Sequence, residues 1–89
     1  MDEYITMFDV LTEEERIETC MFGLSIGFEY VLDNDGFFSE GKDVVIEKTA
    51  KWASEYLKIP YETAFSEVKN TVEKCIDEHE KKVGKNGHK

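Results

Sequence analysis

Apolar positions recur at steps of three, four and seven through most of the chain, the period of helices that bury one face. The clearest run opens at Thr12-Glu13-Glu14-Glu15. That tetrapeptide is a capping box, in which the Thr12 hydroxyl accepts from the Glu15 amide and the Glu15 carboxylate reaches back to the Thr12 amide. Three glutamates also suit the positive end of a helix dipole. Ile17, Cys20, Met21, Leu24, Phe28 and Val31 then form one stripe, and Phe22, Ile26, Tyr30 and Leu32 widen it until the second half is apolar nearly all round. This reads as the central helix. Gly23 and Gly27 each cost about 1 kcal/mol of helix propensity relative to alanine, with close packing the expected compensation.

Asp33-Asn34-Asp35-Gly36 ends the run in a turn, and Phe37 and Phe38 are expected to fold back onto the core. After a loop and cap region at 39–43, a second helix is expected from about Asp43 to Leu57. It turns Ile46, Ala50, Ala53 and Leu57 inward, with Val45, Trp52 and Tyr56 alongside. Lys58-Ile59-Pro60 breaks the chain, because proline disfavours helical backbone at Ile59 and is well tolerated in a first helical turn. The last helix is expected from Pro60 to about Val83, with a stripe of Tyr61, Ala64, Phe65, Val68, Val72, Cys75, Ile76 and His79. Gly84 reads as its stop. The expectation is an all-α fold, a single domain over residues 1–83 built as a bundle of three to four helices, followed by a flexible basic tail at 84–89. Residues 1–11 add a short helix or an ordered arm. The expected core is Leu24, Phe28, Val31, Ile46, Trp52, Ala53, Leu57, Ile59, Phe65, Val68 and Val72.

Residues 54–72 carry the most specific local pattern. A small residue, Ser54, opens it; Leu57 closes the first helix; Ile59 sits in the turn; Ala64, Val68 and Val72 recur in the second helix. The stretch resembles the helix-turn-helix of sigma-like and sporulation-type regulators, which implies packing of the last two helices in that manner and, as one reading, DNA binding. It departs from the pattern in two places. Lys58 stands where such turns carry glycine, and the outward face shows Tyr61, Glu62, Thr63, Ser66, Glu67 and Asn70, where a DNA reader presents arginine, lysine, asparagine or glutamine. Only Lys69, Asn70 and Lys74 suit a phosphate backbone.

Charge narrows the partners. The net charge is −9, unevenly placed: residues 1–40 hold eleven acids against Arg16 alone, while residues 81–89 hold four lysines and no acid. A field of this sign repels nucleic acid and anionic membrane and steers basic partners in. No apolar run approaches the roughly 18 residues of a membrane span, and the acidic opening MDEYITMFDV is unlike a secretory or transit peptide. The expected location is therefore cytoplasmic, with Cys20 and Cys75 reduced and packed on apolar helix faces.

Reactive chemistry finds little footing. Asp33-Asn34-Asp35-Gly36 suggests a calcium loop, but placing Gly36 at loop position 6 puts Val31 at position 1 and Lys42 at position 12, both wrong for ligands. Cys75 and His79 share a helix face, yet no third ligand or orienting group accompanies them. The expectation is a non-enzymatic protein with no metal and no cofactor. Its first function hypothesis is an acidic module that regulates or inhibits a protein with a basic, nucleic-acid-binding surface. In size and charge the chain is similar to small acidic phage-encoded inhibitors that imitate nucleic acid. The expected contact residues are Glu13, Glu14, Glu18, Glu29, Asp33 and Asp35 on the first long helix, and Glu62, Ser66, Glu67 and Asn70 on the last. The alternative is a helix-turn-helix transcription regulator. A homodimer through the apolar first helix is the third expectation.

Overall fold

The computed structural model describes the backbone of residues 10–86 and the side chains through Lys82. The arm expected at 1–11 falls almost wholly outside these residues. The described chain is three helices, α1 (Glu13–Asp35), α2 (Lys42–Leu57) and α3 (Tyr61–Asn86), with no strand among the described residues.

Helix α1 starts where the capping box requires. The Glu15 amide donates to Thr12 Oγ1 at 3.1 Å and the Thr12 amide to Glu15 Oε1 at 2.9 Å. It ends at Gly36, which takes a left-handed conformation (φ 84°) and donates its amide to the Leu32 carbonyl at 2.8 Å. Of the two phenylalanines that follow, only Phe38 folds back. It is buried and meets Phe28 edge to face, ring centroids 5.7 Å apart. Phe37 points outward instead, 62% exposed.

Helix α2 begins one residue earlier than expected. Its N-cap is Gly41 at φ 95°, ψ 147°, with no side-chain cap. This region of backbone is essentially closed to residues with a Cβ. Ile46, Ala50, Ala53 and Leu57 turn inward at steps of four, three and four. Lys58 then adopts left-handed backbone (φ 58°, ψ 49°), and the Ile59 amide closes a six-residue ring onto the Ser54 carbonyl at 3.1 Å. That pattern is a Schellman motif. Ile59 is buried beside it.

Helix α3 is continuous through Gly84 to Asn86, so the expected stop at Gly84 does not end the helical backbone. Ala64, Val68, Val72 and Cys75 form its buried stripe. α3, rather than α1, is the central helix. It packs along both neighbours, whereas α1 and α2 touch each other only sparsely. Small side chains explain this. Ala50, Ala53 and Ala64 are wholly buried, which lets α2 and α3 approach closely, and the shape of a close-packed interior follows such residues. Leu24, Val31 and Phe65 from the expected core are partly buried against it. Trp52 is not core: it is 47% exposed and stacks on Tyr56, centroids 4.9 Å apart. Met21, Leu32, Phe38, Ala50, Ala64 and Cys75 complete the buried set. No described helix is long and apolar enough to cross a membrane.

Candidate functional site: an acid-rimmed groove between the first and last helices

Helices α1 and α3 leave a groove along their line of contact. Its upper part, about 390 Å³, has a floor of Met21 and Cys75, with Phe22 at its edge, and a rim of Glu18 and Glu29 from α1 and Glu67 and Glu78 from α3. The groove runs on through Glu29, Cys75 and Glu78 into a second part of about 310 Å³ that ends at Asp33, His79 and Lys82. Five carboxylates therefore line one channel against Lys74 and Lys82. Among the described residues, Glu18, Glu29, Glu67 and Glu78 have no ion-pair partner.

The far end is closed by ions. Lys82 Nζ lies 3.2 Å from Asp33 Oδ1, and His79 Nδ1 lies 3.4 Å from the same oxygen. That histidine nitrogen is shielded from solvent and makes no hydrogen bond among the described residues. In the middle, the Cys75 thiol donates to the Ser25 carbonyl at 3.7 Å, a cross-link from α3 to α1, and the Ser25 hydroxyl donates to the Phe22 carbonyl at 2.7 Å. Burial pushes the Cys75 thiol above its ordinary range, and the carboxylates of Glu29 and Glu78 raise it further while Lys74 draws it partly back. Burial also raises the Cys20 thiol. Both are free cysteines held in the protonated, poorly nucleophilic form. No three metal-ligating side chains gather among the described residues.

The structure divides the expected contact residues. It brings Glu18, Glu29 and Glu67 together on the groove rim and places Asp33 at its ion-paired end. Glu13 and Glu14 stand exposed in the first turn of α1, and Asp35 closes its last. Glu62, Ser66 and Asn70 are exposed on α3 and line neither part of the groove. Glu67 therefore separates from the α3 residues with which it was grouped. Glu78 went unnoticed in the sequence. Its signal was available: eleven residues, about three turns, separate it from Glu67, so both fall on one row of α3.

A second departure from the sequence lies on the outside of α1. Phe22, Ile26 and Tyr30, which widen the apolar stripe, are 68%, 55% and 70% exposed. They form an outward ridge at four-residue spacing, and Phe22 also lines the groove. Gly23 and Gly27 beside them are not sites of close packing among the described residues, where a Cβ built on either meets no atom within 4 Å.

Comparisons with family models, with curated proteins and with solved structures return no match to this chain.

Proposed function

We propose that the protein is a non-enzymatic acidic binding module that regulates or inhibits a partner with a basic, nucleic-acid-binding surface. The observation that carries this reading is the groove rim, where Glu18, Glu29, Glu67 and Glu78 line one channel with no cation paired to them among the described residues. Carboxylates left unpaired in this way keep their field available to a partner, and a concave setting focuses it. A basic protein surface is the complementary macromolecule, while a polyphosphate backbone is repelled. The protonated Cys75 thiol adds nothing nucleophilic to the same channel.

The test is capture of partners by the immobilised chain, eluted by a salt gradient. A specific partner with a basic surface should be released between about 0.1 and 0.5 M salt, as the screening length shortens below the spacing of the paired charges. Glu18→Gln with Glu67→Gln should release it earlier. Partners that ignore both salt and these substitutions refute the electrostatic reading.

A helix-turn-helix regulator is the second reading. Its specific support is Lys58, whose left-handed backbone occupies the turn position that glycine takes in such motifs. A mobility shift against genomic fragments at low salt decides it, and absence of any shift at about 50 mM salt ends it.

A further inference from the structure

Ten consecutive residues of α1, from Thr19 to Phe28, carry no charge, in a chain of which 35% of residues are charged. In and just beyond this stretch, three outward positions are large and apolar, beside the small Thr19, Gly23 and Gly27. Phe22, Ile26 and Tyr30 are each more than half exposed, and the ridge spans eight residue steps, about 12 Å of helix. Single exposed apolar residues are ordinary, whereas a contiguous row marks an interaction surface. Phe22 joins the row to the acid-rimmed groove. Apolar ridge and carboxylate rim therefore form one surface, apolar on one side and anionic on the other.

The charges say what fits. A second copy of this chain is a poor occupant. Pairing α1 with itself in parallel sets Glu18 against Glu18 and Glu29 against Glu29, and antiparallel pairing about the middle of the uncharged stretch sets Glu18 against Glu29. Like charges so placed oppose association. A helix with an apolar face and a cationic edge matches both halves at once, the helix-in-groove mode of recognition. Resting on the binding-module reading above, we infer that α1 docks an amphipathic, basic helix of a partner protein. Its apolar face covers Phe22, Ile26 and Tyr30, and its lysines or arginines lie over Glu18, Glu29, Glu67 and Glu78.

The probe is a synthetic helical peptide of about five turns, with leucines at four-residue spacing and lysines along one flank, titrated calorimetrically into the full chain. A twin with glutamates in place of the lysines is the control. The lysine peptide binds at least about tenfold more tightly than its twin. Ile26→Ser weakens it by about tenfold or more, while Trp52→Ser on α2 leaves it unchanged. Glu29→Gln with Glu78→Gln flattens its salt dependence. Ile26→Ser leaves the melting temperature of the free protein within about 2 °C of the parent, as an exposed site requires.

Equal affinity for the two peptides, or binding indifferent to Ile26→Ser, overturns the inference. So does a dimer in sedimentation equilibrium that Ile26→Ser dissolves, because a second copy then occupies the ridge. A large fall in melting temperature for Ile26→Ser also overturns it, because the chain itself then covers the ridge. A natural basic partner held equally by the parent and by Ile26→Ser removes this docking mode and leaves the binding-module reading intact. Natural partners indifferent to salt, with the lysine peptide still bound through Ile26, refute that reading and retain the docking surface.

Discussion

Lys58 offers the sharpest test of the local physics. Its backbone sits at φ 58°, ψ 49°, the one positive-φ position among the described residues other than glycine. A side chain with a Cβ costs about 1–2 kcal/mol in this conformation. The fold accepts the strain because Ile59, next in the Schellman motif, must be buried while its amide reaches the Ser54 carbonyl. Lys58→Gly relieves the strain and gives back about 0.5–1 kcal/mol through the greater freedom of glycine in the unfolded chain. The net gain is about 0.5–1 kcal/mol. Lys58→Ala controls for the loss of the lysine charge near the end of α2, an effect of a few tenths of a kcal/mol. For a domain of this size each kcal/mol moves the melting temperature by about 4–8 °C, so the glycine variant should melt about 2–8 °C above the alanine variant. Urea titration followed by circular dichroism should show a higher midpoint at unchanged slope. A glycine variant no more stable than the alanine one refutes the account, and with it the claim that burial of Ile59 holds the turn against strain.

Three further outcomes follow from the geometry. Gly41→Ala should lose about 1–3 kcal/mol in the same urea titration, because its φ of 95° and ψ of 147° are closed to alanine. Gly23→Ala should do the opposite and gain about 1 kcal/mol, since the added methyl meets nothing among the described residues and helix propensity improves. Cys75 should react with a thiol reagent far more slowly in the folded protein than in urea, and its pH profile should lie above that of the unfolded chain. The raised value means that the folded state holds this proton more tightly, so the contribution to stability is complete at neutral pH and declines as pH climbs through the ordinary thiol range.

The helices were legible because their signals are local. Thr12 and Glu15 fix one end of α1 by themselves, and Pro60 separates α2 from α3 by its own covalent geometry. Which helix lies in the middle was not legible. Width of the apolar stripe favoured α1, but that width is an outward ridge, whereas α3 wins the central place with a narrower stripe of small side chains such as Ala64 and Val68. An exposed apolar side chain and a buried one look alike in a helical pattern, so Ile26 reads as part of the apolar stripe and Trp52 as core. The groove was half legible. Glu18 and Glu29 stand out by charge and Glu67 by its place on the outward face of α3, but their meeting depends on how α1 rotates against α3, and no pattern within a single helix encodes that rotation. Glu62, Ser66 and Asn70 share with Glu67 the broad outward face that the helical pattern suggests, but Ser66 and Glu67 lie about 100° apart around the helix, and of the four only Glu67 lines the groove.

The sparse meeting of α1 with α2 makes α3 a keel to which two planks are fastened separately. α2 is fastened across a three-residue turn, at little loop-closure entropy. α1 is fastened by contacts such as that between Ser25 and Cys75, fifty positions apart. Such a plank lifts first, so deuterium should enter the amides of α1 sooner than those of the α2–α3 hairpin. The acid-rimmed channel ceases to exist whenever it lifts. Anything seated there clamps α1 down, and slower deuterium uptake confined to that one helix would be its footprint.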